Sequence, residues 1–475
     1  MASSLSSQVA VLVPAAEGCM SMSSSFLLSA FECAYFLGCT CGIFWGWASD
    51  RLGRRKLAVG GLVGMCLCCL FMGFATSFAV FAVLRFVAGV VSSAVTVAGL
   101  AMLADSTHGD KGRTQIVARL PAITVCGSIG SYVANALRDG CAENALGVFS
   151  QYPGLSGQIV CASLVLSIAL AEGLMLEETL PLPSTTRRTQ SATEDPEKAA
   201  FLNHAPSNDS DDSLNITIID ALHDDATNSP TSHITLPQLL NAPTIMTLLT
   251  SFSILSLHAS TFDTLLPHLS HTDSRIGGMG IPCAWLRPLT LLVQILAAHR
   301  ILTSLPPLLT TKPGLLPLYR CISVAFPPLF ALVPIAGAAV HASGSPPIVS
   351  ALTSTMVMLA KTTLSSAAEV SVLLLVLSAA PDAGSTGTLV GLISISQVFK
   401  ALAVGVSGVA YFLADGYSVY EVNVLLWTVL VTIAGLGARV TWKLRERPMV
   451  GADIPEECLV WEGLFDSESE EESGL

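Results

Sequence analysis

The chain has 475 residues, of which 52% are hydrophobic and only 12% charged, with a mean hydropathy of +0.64; soluble globular domains carry roughly a quarter charged residues. The apolar residues come in runs of about 20, the length that crosses about 30 Å of hydrocarbon as helix, so bilayer is the expected solvent. The formal net charge of -12 gathers around Asp209, Asp211, Asp212, Asp224 and Asp225 and in the tail at 466–472, which excludes the basic face that nucleic-acid binding needs.

In chain order, residues 1–23 hold one weak apolar stretch at 9–16 with no basic residues before it. It is too short to span and lacks the build of a signal peptide, so 1–23 reads as a short extracytoplasmic N-terminus. Apolar runs bounded by charge, Pro or Gly follow near 24–47, 57–76, 78–104, 116–137 and 158–176. From 182 to 237 the chain turns polar and rich in Ser, Asp, Asn and Thr, and is expected to stay a disordered cytoplasmic linker because it cannot bury enough apolar surface to fold. Six more runs lie near 239–266, 285–305, 321–340, 348–377, 389–413 and 422–440, before an acidic cytoplasmic tail over 444–475. The expected fold is all-α and transmembrane, with eleven spans: five in 24–181 and six in 238–443.

Orientation follows from Lys and Arg, which are in excess in cytoplasmic connections. With the 50–56 turn in the cytoplasm, fourteen basic residues of the connections fall on that side and only Arg138 and Arg275 on the other. That places the N-terminus outside and the C-terminus in the cytoplasm. Most of the thirteen cysteines, Cys39, Cys66, Cys68 and Cys69 among them, lie inside apolar runs and read as small helix-facing side chains. Their spacings lack the carboxylate or His partners of a metal site, and no metal or cofactor is expected.

After the first run comes Gly46-Trp-Ala-Ser-Asp50-Arg51-Leu-Gly53-Arg54-Arg55-Lys56. Two glycines permit a tight inter-helix turn, Asp50 sits at a helix end, and Arg54 and Arg55 are expected to project into the cytoplasm. A loop that only set topology would not need Gly46, Asp50 and Gly53. The run resembles motif A of the major facilitator superfamily, G-x-x-x-D-R-x-G-R-R, at every defined position. Leu84-Arg85-Phe86-Val-Ala-Gly89 is similar to the superfamily's motif B, Asp105 closes that span as the family's acidic residue does, and Leu176-Glu-Glu-Thr-Leu-Pro181 resembles the usual end of the sixth family helix. In the second half, Phe262-Asp263-Thr-Leu-Leu-Pro267, Pro317-Leu-Tyr-Arg320, and Ser378-Ala-Ala-Pro381 followed by Gly387-Thr-Leu-Val-Gly391 are similar to the zinc-induced-facilitator-like, drug:proton antiporter branch. The resemblance implies two six-helix bundles, secondary active transport of a small solute by alternating access, and a cavity lined by the first, fourth, seventh and tenth family helices.

Two departures stand out. The helix before motif A is normally the second of twelve, so on this alignment the family's first helix has no counterpart. Where antiporter motif C would read G-x-x-x-G-P-x-x-G-G, the chain has Cys126-Gly-Ser-Ile-Gly130-Ser131-Tyr-Val-Ala134-Asn135, and only Gly130 matches. The Pro kink and the close helix approach are lost, which weakens the implication of proton-coupled export.

Ionisable groups within a membrane are costly and mark function when they face a cavity or a partner. Arg119, Arg300 and Arg439 lie near cytoplasmic ends and Arg287 near the outer end, where they are expected to snorkel. Arg85, Lys361 and Lys400 sit deeper. By resemblance Arg85 would modulate proton transfer; the alternative is a buried pair that holds helices together. Lys361, in the tenth family helix, is the candidate for contacting an anionic substrate group, or else pairs within its bundle with Glu369 or Asp263. Lys361 and Glu369 are eight residues apart, about 12 Å along a helix, too far for a direct pair. Asp263 would carry a proton, bind a cation or contact an outer gate, and Glu32 has no obvious role. Gly46, Asp50, Arg51, Gly53, Arg54 and Arg55, with Asp105 and Arg113, are expected to form a cytoplasmic gate whose salt bridges lock an outward-open state. The expected partners are a small-molecule solute, protons as a candidate coupling ion, and the bilayer, around a monomer. The competing reading is a truncated non-transporting or regulatory protein derived from such a transporter. An enzyme is not expected, since no span carries a nucleophile with its base, a metal-ligand set or paired catalytic acids.

Overall fold

The computed structural model describes residues 22–75, 77–106, 110–142, 152, 155–179, 243–274, 277–310, 315–343, 348–378, 386–413 and 419–444; the expected linker at 182–237, the segment before Met22 and the acidic tail from 445 lie outside the described residues. Among those residues there are fourteen α-helices: α1 Met22–Cys39, α2 Gly42–Leu52, α3 Arg54–Gly73, α4 Phe78–Ser106, α5 Asp110–Val117, α6 Leu120–Ala142, α7 Leu155–Met175, α8 Pro243–His271, α9 Cys283–Thr310, α10 Leu315–Ser343, α11 Ile348–Ser378, α12 Thr386–Leu392, α13 Ile395–Leu413 and α14 Val419–Trp442. They build eleven rods, because α1 with α2, α5 with α6, and α12 with α13 are each one rod interrupted by a short break. Among the described residues, ten rods are long and apolar enough to cross a membrane. The remaining one contains α6. Hydrocarbon offers backbone groups no partners, so a helix, which satisfies its own, is the form such segments take. The same packing tolerates Pro267 in α8, Pro288, Pro306 and Pro307 in α9, and Pro327, Pro328 and Pro334 in α10.

The rods form two bundles. In the first, α3 packs on α4 and α7, and α1 on α4, around Phe31, Cys66, Cys69, Met72, Phe81 and Ala88. Phe31 and Phe81 meet edge to face with centroids 4.8 Å apart, a geometry aromatic pairs favour. In the second, α10 packs on α11 and α14, α8 on α13 and α14, and α9 on α11, around a core that includes Phe262, Phe326, Phe330 and Trp427. The bundles meet where α1 lies on α13, α2 on α12 and α6 on α9. Phe71, Val83, Leu170, Ile335, Val406 and Leu425 are left exposed on the outside, a surface suited to lipid rather than water.

Within the first bundle, glycines set one crossing. A Cβ added to Gly38 would run into the Phe86 carbonyl, and one added to Gly89 into that of Tyr35, so α1 and α4 touch backbone to backbone. This contact accounts for the glycine that closes the Leu84–Gly89 motif. It also places Tyr35 beside Arg85, with the guanidinium carbon 4.7 Å from the ring centroid. Gly89→Ala is expected to destabilise the bundle by about 3 kcal/mol through overpacking. Gly99→Ala on the same helix, where an added Cβ meets nothing within 4 Å, is expected to be neutral. Thermal midpoints of the two purified variants check this.

Candidate functional site

Asp50 stands in the last turn of α2, where a carboxylate opposes its own helix dipole. It is satisfied from the other bundle. Oδ1 accepts the backbone N–H of Gly387 at 3.0 Å; Oδ2 accepts the N–H of Thr388 at 2.8 Å and the Thr388 hydroxyl at 2.7 Å. Gly387 and Thr388 open α12, and first-turn N–H groups lack partners within their own helix. The carboxylate supplies them, 337 and 338 residues away in sequence.

Small residues let α2 and α12 approach. A Cβ on Gly46 would run into the Gly387 carbonyl, and one on Gly391 would fall 2.9 Å from the Gly42 carbonyl oxygen. Gly42 sits directly against Ser394, in the break between α12 and α13. The interruptions at 40–41 and 393–394 therefore oppose one another.

Arg54 anchors this arrangement from below. Its side chain is 0% exposed, ion-paired to Asp105 of α4, 3.5 Å from Asp50 Oδ1, and it donates to the Ala101 carbonyl at 3.2 Å. The expectation that Arg54 projects into the cytoplasm is thus incorrect: two carboxylates and a carbonyl draw it inward, and a guanidinium can be buried when its donors are matched. Arg55 likewise turns back, donating to the Gly173 carbonyl of α7. Arg51 stays exposed and lies 4.3 Å over the Trp47 ring. Gly53 has φ +98°, in the region that favours glycine, and a Cβ there would sit 2.7 Å from Glu178 Oε2. Glu178 itself accepts the Arg54 backbone N–H at 2.9 Å, capping the start of α3.

A second group of charges lies deeper. Asp50 and Glu32 are 18 residues apart on one rod, about 27 Å at 1.5 Å per residue. Lys361 of α11 donates to Asp263 Oδ1 of α8 at 2.6 Å, and Lys400 of α13 lies 3.6 Å from Glu369 of α11. The lysines are the buried members, at 4% and 21% exposed, and the acids the open ones, at 62% and 53%. Of the two pairings open to Lys361 in the sequence, the one with Asp263 forms.

Residues 8–405 match the family described as Major Facilitator Superfamily. The chain belongs to the major facilitator superfamily. It is therefore a multi-pass membrane protein of a secondary-transporter family rather than an enzyme. This superfamily member is similar to the "Major facilitator superfamily multidrug transporter mfsB" of Aspergillus fumigatus, at 22% identity over 452 residues, covering 83% of this chain and 73% of the relative. It is 29% identical over 134 residues to the MFS-type transporter ppzB of Metarhizium majus, covering 28% of this chain and 27% of that one. Among solved structures, the proton:xylose symporter XylE bound to 6-bromo-6-deoxy-D-glucose has a TM-score of 0.63 at 13% identity, covering 97% of this chain and 94% of that chain. The human organic anion transporter MFSD10 (TETRAN) has a TM-score of 0.57 at 17% identity, covering 92% and 89%. Both likenesses bear on the fold.

Of the residues expected to form the gate in this superfamily member, Asp50, Arg54 and Asp105 come together. Arg113, half-buried on α5, makes no ion pair with Asp105 within 4 Å; Arg54 already occupies that carboxylate. Arg119, Arg287, Arg300 and Arg439 are exposed. At the motif C position, a Cβ added to Gly127 or Gly130 meets nothing within 4 Å, so neither glycine serves a close helix contact. The roles of Gly387, Thr388 and Glu178 were not foreseen. Their nearest sequence signal is the repeated spacing of Gly42 with Gly46 and Gly387 with Gly391, the G-x-x-x-G pattern of close membrane-helix packing.

Proposed function

We propose that this protein moves a small solute across the membrane by alternating access, coupled to protons as an antiporter, and that the Asp50 contact is the latch that closes its cytoplasmic side. Asp50 carries the reading: a carboxylate of one bundle holds two backbone N–H groups and a hydroxyl of the other. Closing that end is then a defined set of bonds that opening must break. Hydrogen bonds to a charged group contribute roughly 1.5–3 kcal/mol each. Three of them match the scale of about 5.5 kcal/mol needed to swing a two-state equilibrium from 1:99 to 99:1. The orientation rests on the excess of Lys and Arg around motif A. The multidrug name of mfsB supports a drug:proton antiporter, in keeping with the zinc-induced-facilitator-like motifs of the second half.

Proton coupling falls to Asp263 with Lys361 and Glu369 with Lys400. Protonating an acid leaves a buried ammonium uncompensated, which favours rearrangement of the helices that hold it. Asp263→Asn is therefore expected to destabilise the protein by about 1–3 kcal/mol by stranding Lys361. The double variant Asp263→Asn/Lys361→Met should recover most of the thermal midpoint and lose the dependence of flux on a pH gradient.

The direct test is flux in proteoliposomes under an imposed pH gradient, with rhodamine 6G as a cationic probe and fluorescein as an anionic one. Accumulation of either dye above protein-free vesicles, abolished by collapsing the gradient, is the expected result. Movement of neither dye by correctly inserted protein would contradict proton-coupled transport.

A further inference from the structure

Where α1 lies on α13, the two bundles press together at one point and part beside it. A Cβ added to Gly408 would fall 2.8 Å from the Ser29 Cβ, so the helices are close there. Next to this contact runs a crevice of about 330 Å³, whose walls include Phe26, Ala30, Cys33 and Leu37 of α1 and Gly405 and Val409 of α13. Among the described residues no charged side chain lines it.

The crevice opens toward the bilayer. On α1, Phe26, Ala30 and Leu37 are spaced by four and seven residues, which puts them on one helical face, and all three are exposed. On α13, Val409 follows Lys400 by nine residues, about two and a half turns, and so stands on the opposite side of the helix. Lys400 turns inward to Glu369 of α11; Val409 therefore turns outward, and Leu402 and Val406 near it are exposed as well. The crevice is thus continuous with the apolar outer surface that meets lipid.

Its dimensions suit one hydrocarbon chain. Phe26 to Leu37 is eleven residues, about 17 Å of helix, and half of the roughly 30 Å hydrocarbon core is about 15 Å. The volume is about twice the roughly 150 Å³ of an apolar cavity that stays dry and takes up benzene. A water would need two to four polar partners, whereas a chain in contact with the walls supplies the dispersion attraction that an empty wall lacks. The crevice also lies at the end of the α1–α2 rod away from the latch, with Phe26 24 residues, about 36 Å, from Asp50.

We propose that this crevice binds one acyl chain of a membrane phospholipid, drawn from the leaflet on the side away from Asp50. One wall belongs to each bundle, so the space changes shape whenever the bundles move. A flexible chain follows that change, whereas large side chains grown from α1 and α13 into the same space would overpack it.

Photolabelling of the purified full-length protein, reconstituted with a trace of phosphatidylcholine carrying a diazirine midway along one acyl chain, tests the site. Peptides containing 26–37 and 405–409 are expected to carry about fivefold more label than those containing Ile335 of α10 or Leu425 of α14, which are exposed to lipid on open helix faces. In Gly405→Leu the added Cβ meets only Cys33 Sγ at 3.5 Å, so the rest of the side chain enters the crevice. Label at 26–37 should then fall to the level at Leu425. Ala30→Leu, on the exposed wall, fills the same space and serves if the first variant does not fold, as thermal midpoints will show. Label spread evenly over the exposed helices, or excess label that neither filling variant lowers, would overturn the proposal. Excess label displaced by rhodamine 6G would overturn it too, by giving the crevice to the solute.

Discussion

Replacing Asp50 with Asn is expected to lower solute flux by about 30- to 1,000-fold, corresponding to about 2–4 kcal/mol, while leaving membrane insertion intact. Asn has nearly the shape of Asp but only one acceptor oxygen. In the native latch each carboxylate oxygen faces donors: Gly387 N–H on one, Thr388 N–H and hydroxyl on the other. An Asn amide nitrogen would therefore point a donor at a donor on one side. Arg54, 0% exposed, would also keep only one of its two carboxylates. Because the lost bonds join two bundles, each bundle should still fold. Dye flux normalised to reconstituted protein reads the effect, and unchanged flux would refute the latch.

A larger loss is expected from Gly46→Val. A single added Cβ already runs into the Gly387 carbonyl, and the two γ-carbons of Val would push α2 and α12 apart and break all three latch bonds together. Flux should fall to background while the purified protein elutes as before. Gly60→Ala on α3 and Gly130→Ala on α6 serve as controls. An added Cβ at either meets nothing within 4 Å, and flux should stay within about twofold of the parent, the scatter expected of substitutions that touch no packed group. Normal flux in the Val variant would mean that these helices never need to close.

The rods could be read from the sequence because bilayer thickness imposes one length on every span and hydrocarbon tolerates few charges. Their breaks could not. Those at 40–41 and 393–394 sit where Gly42 meets Ser394 of the other bundle, a tertiary contact with no local signature. Motif A was visible as a pattern, but the direction of Arg54 was not: the Asp105 that draws it inward lies 51 residues on, and charge patterning alone favours the cytoplasm. The acceptor of Asp50 was harder still, since backbone N–H groups carry no residue identity; only the glycine spacing at 387 and 391 hinted at it. For Lys361, helix geometry excluded Glu369 as a partner within α11, yet the choice of Asp263 had to await the packing of α8 on α11.

The most direct measurement is the distance between spin labels at Lys56 on α3 and Arg439 on α14, both exposed and at the Asp50 ends of their bundles, in a variant whose native cysteines have been replaced. With Asp50 intact, pulsed dipolar spectra should show one dominant short distance, the latched state. Asp50→Asn should shift the population toward a longer distance. The same distribution with and without Asp50 would contradict the claim that this carboxylate closes the protein.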